Sequence, residues 1–285
     1  AVLGSNSCTL RAVSSIITAN KALLGRHVEA LGAKAAAAGV QIRCEAAAGG
    51  GIPIVGTLEH DLVGNKILTI AGILNGTTNY ILSRMDAEGA DYADVLADAQ
   101  AKGYAEANPS TDVDGIDTWH KVILSANVAF GISLDKTTVP VSGIRNISAA
   151  DVDCFKAHGK VCKLISTAKR TEDGFSAYVQ PTLVAAGSPE GAVPLNYNLI
   201  TFIGQTSERM SFYGQGAGRY PTAYNVVQDL VDVLAGKGFY APYGGHAAAV
   251  NDEKLTWYVR GNWNGETKEH WGSAAVTAPV SVAAM

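Results

Sequence analysis

The sequence predicts an α/β protein, with a parallel strand–helix–strand unit near its start and a larger α+β region built on a mixed sheet. Three observations predict it. Residues 16–24 and 41–48 each open on a short β-branched or apolar run, and residues 26–38 between them are alanine-rich with helical spacing. Residues 67–74 alternate as a strand and run through a polar turn into the periodic stretch 80–85. From residue 139 onward the pattern becomes shorter and richer in strands. At 285 residues and 47% hydrophobic content, the chain can bury a core in one or two domains.

The elements follow in order. Residues 52–55 carry Pro53, so they read as an extended segment at a sheet margin rather than a central strand. In the turn after the 67–74 strand, Thr77 or Thr78 can cap the next helix. Asp91 is placed to cap a helix over 92–102 that stops at Gly103, and 114–128 reads as a third helix. Strands are expected at 161–168, 176–181 and 199–203. The glycine-rich run 214–218 leads into a helix from about Pro221 to Leu234. Residues 272–285 are small, apolar and without pattern.

Composition excludes several classes. A net charge of −4 with 17% charged residues offers no basic surface for nucleic acid or an acidic membrane. The longest apolar stretch, 122–132, is too short to span a bilayer, and the sequence does not open on a secretory pattern. Four cysteines without a CxxC pair argue against a zinc ribbon or a disulfide framework and fit a cytoplasmic setting. The six histidines contain no i, i+4 pair, which disfavours a metal-dependent hydrolase.

The segment 99–121 concentrates functional groups: Glu106, Asp112, Asp114, Asp117 and Lys121, with Gly103, Pro109 and Gly115 shaping the backbone. Asp117 and Lys121 lie four apart on the expected helix and share a face. By spacing alone, that is also how an ordinary solvated ion pair looks. The apolar run that begins at Val122 favours a helix entering the core, where an amine exchanges protons more readily and carboxylates suit an ammonium ligand.

The run Ala99-x3-Gly103-Tyr104-Ala105-Glu106-x-Asn108-Pro109-x2-Asp112-Val113-x-Gly115-x-Asp117-x3-Lys121 resembles the signature of the homoserine dehydrogenases. Four further blocks are similar to that family: Thr18–Leu24, Glu45–Ile54, Gly72–Asn79 and Gly214–Gly218, so the resemblance runs from about Ile17 to Asp229. It implies reversible, NADP- or NAD-dependent reduction of aspartate 4-semialdehyde to homoserine, in threonine, methionine and isoleucine biosynthesis. By the same resemblance Lys121 donates the proton and Lys21 assists it. Glu106, Asp117, Asp112 and Thr77 would bind the amino acid, and Lys21, Gly103, Glu106 and Gly218 the cofactor. Glu45 with the backbone of Ala48, Gly50 and Ile52 would hold a monovalent cation, Na+. A homodimer is implied, through segments near 52–58 and 179–203.

The resemblance also has gaps. The family opens its Rossmann-like domain with a GxGxxG turn that cradles the pyrophosphate, and no such motif stands in this sequence. Residues 1–16, with Ser5-Asn6-Ser7-Cys8, do not match the family. The expected organisation is a remainder of the nucleotide-binding domain over 1–47, then a dimerisation and substrate domain over 48–205. Residues 206–260 would return to the nucleotide side, and 261–285 carry no assignment. A second expectation is therefore a substrate-binding and dimerisation fragment without catalysis.

Overall fold

Two short strands, β1 (Ile16–Ile17) and β2 (Ile42–Arg43), pair in parallel and are joined by helix α1 (Lys21–Ala37). This is the unit expected from the sequence, in a computed structural model that describes residues 14–237 and 245–285. Cys8 and its neighbours, and residues 238–244 of the expected return segment, lie outside the described residues. Alanines give α1 its propensity, and the Asn20 side chain caps it by accepting from Leu23 N at 3.0 Å. Lys21 is thereby fixed on the first turn.

After β2 comes the buried single-turn helix α2 (Glu45–Ala48). Residues 52–55 are not an extended sheet margin, because the backbone N–H groups of Ile54, Val55 and Gly56 bond the Glu45 carboxylate instead of a ladder. The chain then passes through a π-helical turn, Thr57–Asp61, into strand β3 (Ile67–Ile73).

Four helices follow β3: α3 (Gly76–Glu88), α4 (Tyr92–Ala101), the one-turn α5 (Ser110–Val113) and α6 (Ile116–Phe130). The cap of α3 is Asn75, whose side chain accepts from Thr78 N, rather than Thr77 or Thr78. Asp91 occupies the cap position of α4 but its side chain makes no capping bond. Helix α6 is buried almost all round, from Asp117 to Phe130, as the apolar run suggested.

Beyond α6, strand β4 (Ser133–Leu134) leads to helix α7 (Ala149–Ala157) and to the long strands β5 (Lys160–Arg170) and β6 (Phe175–Ala185). Strands β7 (Tyr197–Gly204) and β8 (Glu208–Gln215) and helix α8 (Arg219–Leu234) complete this part. The five-stranded sheet has the order β6-β5-β3-β7-β8, and every neighbouring pair is antiparallel. That corrects the expected mixed sheet. The connections over 171–174 and 205–207 are hairpins, which only antiparallel neighbours permit. One isolated parallel bridge, Val141 to Val179, borders β6.

Strand β8 is in register with β7 along its whole length, so the expected boundary at 205/206 falls inside the sheet. Alternation along the strands divides the core: Leu164 and Ile200 join the main cluster, while Ile73, Ile165 and Leu199 form a second one with Val193 of the loop before β7.

The final stretch is ordered too. Strand β9 (His246–Ala247) pairs β4, β10 (Lys254–Leu255) pairs β14 (Val280–Ser281), and β11 (Tyr258–Val259), β12 (Thr267–Trp271) and β13 (Ala274–Thr277) form a small sheet. Helix α8 is anchored by Asn225, which donates to Gly50 O at 2.7 Å, and by Asp229, which accepts from Glu45 N at 3.0 Å. Its outer side exposes Tyr220, Tyr224, Val227, Val231 and Leu234. Among the described residues no helix is long and apolar enough to cross a membrane.

Candidate functional site

The C-terminal end of β3, the first turns of α1, α3 and α6, and the loop after β8 converge on one cavity of about 550 Å³. Lys21, Gly50, Thr77, Gly103, Glu106, Asp112, Asp117, Lys121 and Gly218 all line it. Residues spread over two hundred positions therefore share one space. Glu45 and Ala48, the ends of α2, and Ile52, in the turn after it, are not among the lining residues.

At the cavity floor lies an ionic cluster. Asp117 holds Lys121 Nζ at 2.8 Å through one oxygen and Lys21 Nζ at 2.9 Å through the other. The Lys121 and Asp117 side chains are only 9% and 8% exposed, so this is not a solvated surface pair. Lys121 Nζ also donates to Leu74 O at 2.7 Å. Burial alone would push the Asp117 carboxyl up, but the ammonium groups of Lys121 and Lys21 outweigh it and hold the carboxyl well below its usual range.

Asn75 ties the carboxylates together. Its Nδ2 donates to Asp112 Oδ1 at 2.7 Å and to Asp117 Oδ2 at 3.0 Å, while its Oδ1 caps α3. Asp112 is pushed up by burial, against the Asn75 bond, and the Asp117 charge adds to the rise. Three of the roughly four acceptor positions on Asp117 are thus taken, by two lysines and an amide. Asp112 and the exposed Glu106 are the carboxylates left to face a ligand.

Other expected residues are placed as follows. Thr77 lines the cavity, but its hydroxyl donates to Tyr104 O at 2.7 Å. Gly103 ends α4 in a left-handed conformation, and Gly218 is the cap residue of α8. A Cβ on Gly103 would meet nothing within 4 Å, so bare backbone leaves open space there. Asp114 does not belong to the site: it pairs with Arg145 on the surface.

The glycine loop packs tightly. A Cβ on Gly50 would stand 2.0 Å from Gly216 O, which requires glycine at this contact. Glu45, 4% exposed, accepts from Ile54 N, from Val55 N at 2.9 Å and from Gly56 N. Its carboxyl is pushed up to about 7 by burial, against those three bonds. No basic side chain pairs with it among the described residues, and no cluster of three His, Cys, Asp or Glu ligands occurs among them.

Sequence reasoning placed Asn75 and Gln215 to Ala217 in blocks that resemble the family but gave them no role in the site, and it missed Asn196. An asparagine between a strand and a helix is a capping signal that could have marked Asn75. Asn196 reaches the cavity from a loop far away in sequence, and no local pattern announces it.

Comparison with known proteins points one way. The sequence model of the family "Homoserine dehydrogenase" matches residues 53–231. The homoserine dehydrogenase of Corynebacterium glutamicum is 42% identical over 233 residues, which cover 80% of this chain and 52% of that protein. A solved homoserine dehydrogenase from Thiobacillus denitrificans superposes with a TM-score of 0.81 at 35% identity, over 86% of this chain and 60% of that one. A hyperthermophilic archaeal homoserine dehydrogenase, solved in complex with NADPH, shares the fold at 24% identity and a TM-score of 0.69, over 79% of this chain and 65% of that one. The chain spans about half the length of the curated relatives it matches.

Proposed function

Because the chain belongs to the homoserine dehydrogenase family, we propose that its cavity serves the reversible, NADP- or NAD-dependent interconversion of aspartate 4-semialdehyde and homoserine. The observation that carries this reading is the Lys121–Asp117–Lys21 cluster lining the cavity, with Lys121 and Asp117 buried.

An ammonium group has three donors. Asp117 and Leu74 O take two from Lys121, which leaves one N–H for the carbonyl oxygen of the substrate. Lys121 then passes a proton to that oxygen as it gains charge, and Lys21 stabilises the same oxygen electrostatically. A bound nicotinamide cofactor supplies the hydride. Lys21, Gly103, Glu106 and Gly218 would hold that cofactor, and the bare backbone at Gly103 fits a flat ring against the wall. Glu106 and Asp112 suit the substrate ammonium, with Asp117 reserved for the lysines. The first-turn N–H groups of Gly76 and Thr77 suit its carboxylate, since Thr78 N and the Thr77 hydroxyl are engaged.

A monovalent cation, Na+, belongs to the same reading. Glu45 with the backbone carbonyls of Ala48, Gly50 and Ile52 would hold it, and a buried carboxylate without a basic partner fits that role. The active form would be a cytoplasmic homodimer acting in threonine, methionine and isoleucine biosynthesis. Residues 52–58 are already mostly buried within this chain, so the interface rests on 179–203 and the exposed Ile203 and Tyr213.

Two observations favour a second reading, a substrate-binding and dimerisation fragment without catalysis. The β1–β2 sheet has only two strands among the described residues, and α8 shows an uncovered apolar stripe beside it. Titrating homoserine and NADP+ separately decides between them, followed by turnover monitored as NADPH absorbance. The dehydrogenase reading expects turnover that drops about 10²–10⁴-fold in Lys121→Ala with homoserine binding retained. Near-normal turnover in that variant overturns the assignment.

A further inference from the structure

Lys163 sits on β5, 4% exposed, and no carboxylate among the described residues lies within ion-pair distance of it. A buried ammonium is costly unless its hydrogen bonds are complete. All three are made: to Asn79 Oδ1 at 2.9 Å, Val193 O at 2.8 Å and Ser83 Oγ at 3.3 Å. Burial lowers its pKa to about 8. Nothing in the proposed chemistry uses this lysine.

Its partner explains it. An ammonium only donates, so it fixes the Asn79 amide with Oδ1 inward and Nδ2 outward. Asn79 Nδ2 then faces a row of loop carbonyls, Leu195 O at 2.7 Å, Tyr197 O at 3.1 Å and Val193 O at 3.3 Å. Within that loop Leu195 is held at a φ of 46°, a conformation that a branched residue keeps only when its surroundings impose it. The next residue, Asn196, lines the cavity. Its carbonyl packs so closely on α3 that a Cβ on Gly76 would stand 2.7 Å away.

We propose that Lys163 and Asn79 are positioning residues: a buried ammonium–amide clamp that holds loop 193–197 so that Asn196 walls the substrate pocket at the start of α3. The effect on catalysis rests on the dehydrogenase reading; the clamp itself does not. It fixes the end of the pocket assigned to the substrate carboxylate, so it acts on substrate affinity and leaves proton transfer at Lys121 alone.

Three variants test it, Asn79→Asp, Asn79→Ala and Lys163→Met. Asn79→Asp keeps an acceptor for Lys163 and sets an oxygen against the loop carbonyls, so it releases the loop without unpairing the buried ammonium. The expected result is a KM for homoserine raised about tenfold or more, with kcat within a few-fold of wild type and the KM for NADP+ unchanged. Hydrogen exchange at the backbone of residues 193–197 should quicken in all three variants, and wild-type rates elsewhere in the sheet should persist. If the wild-type chain shows no turnover, the dehydrogenase reading fails, and loop exchange still judges the clamp. Unchanged exchange at 193–197 in Asn79→Asp overturns the clamp. So does an unchanged KM for homoserine in an active enzyme.

Discussion

Lys21 and Lys121, a hundred positions apart, sit on opposite oxygens of one buried carboxylate, at 2.9 and 2.8 Å from Asp117. Two ammonium groups this close are tolerable only with the carboxylate between them. Asp117→Asn should therefore leave Lys121 buried without its counter-charge and cost about 3 kcal/mol in urea unfolding at neutral pH. Lys21 is 35% exposed and contributes little to that figure. Because the folded Asp117 carboxyl lies below its ordinary value of 3.8, its contribution is complete above that pH and is lost as pH falls further. The gap between wild type and Asp117→Asn should close in that acid range. A gap that stays constant down to the acid limit would remove the ion cluster as its cause.

Lys163 makes a pH prediction of the same sign in the alkaline range, where a cost is relieved. Its folded pKa is about 8 and its ordinary value 10.5, so the unfolded chain binds the extra proton between those values. Stability relative to Lys163→Met should rise across that window, by up to about 3 kcal/mol. Asp86 and the Cys162 thiol are the other titratable groups acting on Lys163, and both are retained in the variant. Unfolding curves at several pH values for both proteins give the difference directly. A difference that is flat or falls with pH contradicts a lysine held charged at a cost.

The sodium site is tested by ion exchange. Replacing sodium with choline at constant ionic strength should lower the melting temperature, since a ligand at a hundredfold excess over its Kd stabilises by about 2.7 kcal/mol. Glu45→Ala should abolish that sensitivity, because Glu45 is the only charged donor in the set. Equal melting of wild type in the two salts would dismiss the cation.

How much was legible beforehand depended on how local each signal was. The Asp117–Lys121 pair was readable because i, i+4 spacing fixes a shared helix face, and the following apolar run foretold its burial. The strand–helix–strand unit was readable from periodicity. The antiparallel sheet was not, since strand direction depends on which hairpins close, and β8 alternates too weakly to stand out among its charged residues. Ile52 to Val55 misled because Pro53 marks an irregular backbone without saying what binds it, and the answer, Glu45, is a tertiary contact. Asn196 and Lys163 were invisible for the same reason: each gains its meaning only from a partner on another element.

The tail after residue 245, whose last stretch 272–285 is featureless in sequence, is stapled to the rest through Asp151. That carboxylate, 3% exposed, closes the cap of α7 with Ser148 N at 2.9 Å and also accepts from Tyr258 OH at 3.0 Å and Arg260 at 2.5 Å. Arg260 reaches on to Asn146 O at 2.9 Å, and Trp271 stacks on His158 with centroids 4.1 Å apart. Asp151→Ala removes a cap and takes the partner from the half-buried Tyr258 hydroxyl, so it should cost about 1–2 kcal/mol. Arg260→Ala, at a half-exposed position, should cost about 1 kcal/mol or less. If the staple makes the tail part of one cooperative unit, tryptophan fluorescence and far-ultraviolet circular dichroism report the same transition in wild type. In Asp151→Ala the fluorescence transition should come first, since all four tryptophans but Trp119 lie in the tail. Coincident transitions in that variant would show that the tail is held by its apolar contacts, Val276 and Trp271 in the main core, and not by the Asp151 staple.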